Sequence, residues 1–83
     1  MTMIRVQDVH VVDTTHLMID FSNGEKKLFD VSPYMEKGIF KQLNNYTYFK
    51  QVRVSDGTIV WPNEQDFCPD TLYSKGQSFT SNM

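Results

Sequence analysis

The sequence predicts a small two-layer α+β domain: a mostly antiparallel sheet, element order βββ-α-ββ-α, with short helices on one face. Three observations predict it. Two runs of alternating apolar and polar residues are each folded back at a turn dipeptide, Asn23-Gly24 and Asp56-Gly57. Two helical stretches open on a proline, Pro33 and Pro69, and meet a glycine, Gly38 and Gly76. The connections between strands are short, which makes their pairing antiparallel.

The first strand runs from Ile4 to Val12. Ile4 and Val6 alternate, then Val9 and Val11 alternate in the opposite phase, so a β-bulge is expected near Gln7-Asp8. Asp13-Thr14-Thr15 supplies turn chemistry. From His16 to Val31 the alternation of Leu17, Ile19 and Phe21 leads into Asn23-Gly24, which suits a two-residue type I′ turn. That turn pairs Ser22 with Glu25, Phe21 with Lys26, Asp20 with Lys27, Ile19 with Leu28 and Leu17 with Asp30. It makes Ile19 and Leu28 a core pair and Asp20 and Lys27 an exposed ion pair. Met18 opposite Phe29 then puts apolar groups on the second face as well.

Ser32-Pro33 is an N-cap followed by proline at the first helical position. The short turn Tyr34-Met35-Glu36-Lys37 is stopped by Gly38 and restarts over Ile39 to Leu43, with Phe40 and Leu43 on one face. Asn44-Asn45 breaks it, and Tyr46 to Phe49 forms one more helical turn or a loop. Val52 to Trp61 is the second hairpin. Asp56-Gly57 sets Val54 opposite Ile59 and Val52 opposite Trp61, with Arg53 and Ser55 on the other side. Pro62 ends the strand. Asp66 to Tyr73 reads as a cap and a short helix with Pro69 at its first position and Asp70 in its first turn, where negative charge suits the helix dipole. Residues 1–76 therefore form one domain, and 77–83 a polar, frayed tail carrying Phe79.

Size and charge bound the function. A chain of 83 residues supports one hydrophobic core, and a domain this short buries only about 60–65% of its unfolded surface, which leaves stability to be gained from a partner. The formal net charge of −2 comes without any basic run beyond Lys26-Lys27. Duplex-DNA readers and anionic-membrane binders carry a basic footprint, so neither nucleic acid nor a membrane is expected as a direct partner. One cysteine, Cys68, makes no internal disulfide. Met1 to Val6 has neither the basic nor the apolar region of a signal peptide. No apolar run approaches the ~18 residues of a membrane span. A cytoplasmic protein is the expectation.

The ordered set Phe21-Ser22-Asn23-Gly24-Glu25, Phe29-Asp30-Val31, Gly38-Ile39-Phe40-Lys41-Gln42-Leu43, Tyr48-Phe49, Asp56-Gly57-Thr58-Ile59-Val60-Trp61-Pro62-Asn63, Asp66 and Pro69-Asp70-Thr71-Leu72-Tyr73 resembles the small bacterial family called domain of unknown function 2442. The resemblance spans about Met3 to Tyr73. It implies a bacterial α+β domain without an established activity. Members stand alone or are fused to a helix-turn-helix, and are often encoded beside another small protein in toxin–antitoxin-like pairs. This chain ends soon after the domain, so no helix-turn-helix is expected in it, and the resemblance supplies no catalytic residues.

The residues offer no assembled chemistry. Cys68 is the only thiol, and a cysteine nucleophile needs a base, for which His10 and His16 are the only histidines. Those two histidines with Asp8 or Asp13 match no metal-ligand spacing. Asp30, Asp66 and Asp70 each have a capping or turn position. No catalytic residue, metal or cofactor is expected. Trp61-Pro62-Asn63, with Tyr73, Tyr34, Arg53, Asp66 and Asp70, has the composition of an interaction surface. Alternation places Trp61 in the core, with an edge able to line a groove. The expected function is a non-catalytic protein-interaction module, binding a second copy or the product of a neighbouring gene. The alternative is a small ligand-binding protein or enzyme with a pocket near Trp61, Asp66 and Tyr73.

Overall fold

The computed structural model describes residues 4–78. It holds two antiparallel sheets where the sequence predicts one. β1 (Val6–Val11), β2 (His16–Phe21), β3 (Lys26–Asp30) and β7 (Gln77–Ser78) form a four-stranded sheet in the order β1-β2-β3-β7. β4 (Arg53–Ser55), β5 (Thr58–Val60) and β6 (Asp66–Phe67) form a three-stranded sheet. Between β3 and β4 run two 3-10 segments, Ser32–Tyr34 and Gly38–Asn44, and the single turn α1 (Tyr46–Phe49). α2 (Pro69–Lys75) precedes β7. Among the described residues, no helix is long and apolar enough to cross a membrane.

The bulge is where the phase slip puts it. Val6 pairs with Phe21 and Asp8 with Asp20, leaving Gln7 as the extra residue. Val6, Leu17, Ile19, Phe21 and Phe29 then share the buried face.

The register of the first hairpin differs by one residue from the expected one. Leu17 faces Phe29, Ile19 faces Lys27 and Asp20 faces Lys26. The cause is the turn. Phe21 N–H donates to Glu25 O at 2.9 Å and Gly24 N–H to Phe21 O at 3.0 Å, closing a three-residue loop, Ser22-Asn23-Gly24. Gly24 alone is left-handed, at φ +89°. A type I turn followed by one left-handed residue is the other solution available to an Asn-Gly pair. Asp20 therefore pairs with Lys26, at 3.3 Å, and Met18 with Leu28 on the outer face. Glu25 and Lys27 fall on the core side, at its margin.

Helix α2 covers that margin. The Tyr73 ring meets Phe21 edge-on at 5.2 Å. Its hydroxyl donates to Glu25 Oε2 at 2.5 Å, and Lys27 Nζ donates to Tyr73 O at 2.8 Å while lying 3.9 Å from the ring centroid. Donation to the Glu25 carboxylate pushes the Tyr73 phenol above its ordinary value of 10.0, because ionisation breaks that bond.

Three further expectations are corrected. Ser32 is not a side-chain cap; Val31 holds the N-cap position, and the Asp30 carboxylate accepts from Ser32 N–H at 2.9 Å. Asp66-Phe67 is a strand rather than the approach to a helix, because Phe67 continues the buried row of Ile59. Gln77–Ser78, placed in the tail, pairs with Lys27 and Leu28; the rest of the expected tail, with Phe79, lies outside the described residues.

Phe67 joins the layers. Its ring centroid lies 5.1 Å from Phe29, 5.0 Å from Tyr34, 5.1 Å from Phe40 and 6.0 Å from Trp61. Edge-to-face and offset contacts at this range are the favourable arrangements for aromatic rings. The core thus spans both sheets, with Leu43, Phe49 and Leu72 closing it from the helical segments.

Candidate functional site

The outer face of the second sheet carries a shallow groove. Two turns build it. Asp56 and Gly57 are both left-handed, at φ +52° and +79°, as a type I′ turn requires, and they set Val54 opposite Ile59 and Arg53 opposite Val60. The second turn, Pro62-Asn63-Glu64, repeats the geometry of Ser22-Asn23-Gly24. Trp61 N–H donates to Gln65 O at 2.9 Å, and Glu64 N–H donates to Trp61 O at 3.0 Å. Its third residue is again left-handed, but here it is Glu64, at φ +74°. Left-handed backbone costs a side-chain-bearing residue about 1 kcal/mol, and glycine is free of that cost.

Pairing of Arg53 with Val60 and of Val60 with Asp66 lays these three side chains in one row across the sheet. Ile59, Phe67 and half-buried Val54 form the opposite, core-facing row. The groove of about 420 Å³ above the outer row is lined by Arg53, Ser55, Val60, Trp61, Pro62, Glu64 and Asp66. It is shallow and mixed in charge, with one cation and two carboxylates. Ser55 is its only hydroxyl, and its lining has no histidine, lysine or cysteine to act as a partner base or nucleophile.

A buried polar network anchors the loop that carries Pro62 and Glu64. Gln65 is 1% exposed. Its Oε1 accepts from Tyr48 Oη at 2.6 Å, and its Nε2 donates to Ile39 O at 2.9 Å and Gln42 Oε1 at 3.1 Å. The Tyr48 hydroxyl accepts from Asn63 N–H at 2.8 Å, and Asn63 Nδ2 donates to Gln42 Oε1 at 2.8 Å. A satisfied network in a low-dielectric interior fixes its members in one arrangement. Trp61 adds a bond from its indole N–H to Phe49 O at 2.9 Å.

Of the eight residues singled out by sequence, Arg53, Trp61, Pro62 and Asp66 meet at this groove. Trp61 is 1% exposed, so it is chiefly core. Asn63 holds the loop rather than lining the groove. Asp70 lies exposed in the first turn of α2. Tyr73 is engaged with Glu25 and Lys27, away from the groove walls, and Tyr34 is packed against Phe29 and Phe67. Sequence reasoning missed Glu64 and Gln65. The signal for Glu64 was the repeated spacing of the two turns, Phe-Ser-Asn-Gly-Glu and Trp-Pro-Asn-Glu-Gln.

The histidines belong to the other sheet. His16 Nδ1 lies 3.0 Å from Asp13 Oδ1, an oxygen that also accepts from the backbone N–H of Thr15 and of His16, each at 2.9 Å. These bonds, that from Thr15 foremost, hold the Asp13 carboxyl down at about 2. His10 Nε2 is 3.2 Å from Asp8 Oδ2, and Asp20 completes a cluster with them. The Lys26 ammonium lies 3.3 Å from Asp20 Oδ1, a buried oxygen that accepts no hydrogen bond from the described residues.

A family model described as "Protein of unknown function (DUF2442)" matches residues 6–78. No curated protein and no solved structure matches the chain.

Proposed function

We propose, from the premise that this chain belongs to the DUF2442 family of proteins of unknown function, that it is a non-catalytic protein-interaction module docking its partner on the groove of the second sheet. Glu64 carries the reading. The first hairpin solves the same turn with Gly24, at no conformational cost. The second holds a glutamate in left-handed backbone and aims it into a groove with Arg53 and Asp66. Strain kept at a surface position is accounted for when the side chain has work to do there. A mixed-charge, open groove suits a protein surface, on which charge order sets register and partner choice. A small-ligand site is normally more enclosed and more apolar than this one.

The test separates stability from binding. Glu64→Gly removes the strain and the carboxylate together, so the variant is expected to be as stable as wild type or more so. Its association with its partner, a second copy of the chain or the product of a neighbouring gene, measured by titration or dilution calorimetry, is expected to weaken at least about tenfold. Unchanged affinity overturns the assignment of this groove.

A further inference from the structure

We infer that the groove of the second sheet is a self-complementary interface and that its occupant is a second copy of this chain. The inference rests on the docking role proposed above and names the partner.

The carrying observation is the order of charge along the row. Arg53, Val60 and Asp66 occupy paired positions on three neighbouring strands. Adjacent strands lie about 4.8 Å apart, so cation and anion stand about 5 Å to either side of the valine. No ion pair among the described residues joins them. Among the described residues the ion pairs are those of His10, His16 and Lys26, so Arg53, Glu64 and Asp66 are all left free.

A row of this kind discriminates among partners. A polyanion meets Asp66 and Glu64, and a polycation meets Arg53, so neither gains from the whole groove. The matching surface must present anion, apolar group and cation at the same spacing. The row itself does so when rotated. A two-fold axis parallel to β5 and passing over Val60 lays Arg53 against the partner's Asp66 and Asp66 against the partner's Arg53. Val60 then meets its own copy at the centre. This is the isologous arrangement, in which each contact occurs twice. Glu64 lines the same groove and provides a second carboxylate for the incoming guanidinium. An arginine between two carboxylates gains directional, charge-assisted hydrogen bonds.

The full chain is tested by sedimentation equilibrium over a wide concentration range at low and high salt, with circular dichroism to confirm folding. Wild type is expected to dimerise reversibly, more weakly at high salt because the pairs are rim charges. Arg53→Asp and Asp66→Arg each place like charges in register and are expected to raise the dissociation constant at least about tenfold. The double variant reverses both ends of the row and is expected to recover to within about threefold of wild type, since each pair is restored with its sign exchanged. A wild type that stays monomeric throughout, or a double variant no better than the single ones, overturns the inference. A monomeric wild type that still binds the neighbouring gene product, with Glu64→Gly weakening it, removes the self-pairing alone. Absence of both associations removes the docking role as well.

Discussion

The Tyr48 hydroxyl and the Gln65 side-chain oxygen share a fully enclosed hydrogen bond of 2.6 Å that ties helix α1 to the loop behind the groove. Tyr48→Phe leaves that oxygen and the Asn63 N–H without partners. A buried polar group left unsatisfied costs about 1–3 kcal/mol. The variant is expected to lose stability in that range in urea unfolding. Combining it with Gln65→Leu should be less than additive, because the second change removes one of the orphaned groups.

Gly76 makes a different prediction. It ends α2 with φ −70°, a backbone any residue adopts. Its constraint is room. A methyl group there meets the Leu72 carbonyl oxygen at 2.6 Å and Lys27 Cβ at 2.9 Å. A backbone oxygen cannot step aside as a side-chain tip does. Gly76→Ala is expected to part β7 from β3 and to speed hydrogen exchange at the amides that pair them. Gly24→Ala meets open space and carries only the cost of left-handed backbone, about 1 kcal/mol, so its exchange effect should stay within the first hairpin.

Asp13 sets an acid-side dependence. Its folded value of about 2 lies below the usual 3.8, so the ionised form is favoured by folding. The stability it contributes is present above pH 3.8 and is lost as pH falls through about 2. Wild type and Asp13→Ala should therefore differ at pH 6 and converge near pH 2 in thermal unfolding. Asp13→Asn keeps an acceptor for the Thr15 and His16 amides and should lose less than the alanine variant at pH 6.

Parts of this architecture were legible because the determining signal is local. The bulge at Gln7 follows from the phase of four valines and isoleucines, the second hairpin from Asp56-Gly57, and the start of α2 from Pro69. The first hairpin was misread because Asn23-Gly24 fits two loop lengths, and the choice between them depends on where Glu25 and Lys27 find cover. That cover is Tyr73, supplied by tertiary packing. β6 has two residues, too few for periodicity to show. The groove was half legible. Arg53, Trp61 and Asp66 stood out by composition, but the row joining Arg53 to Asp66 exists only after three strands pair. Gln65 was invisible, since its three partners come from elsewhere in the chain and nothing in its neighbourhood marks it as buried.

The pairing of Lys27 with Ser78 also fixes an order of events during synthesis. β1, β2 and β3 leave the ribosome long before β7, and the Tyr73 cover arrives only with α2. Until then the nascent chain displays the β3 edge and the charged margin of a half-closed core. Completion of the first sheet must wait until Gln77 and Ser78 have been made, so early compaction belongs to local hairpins and the closing of this sheet to a later long-range contact.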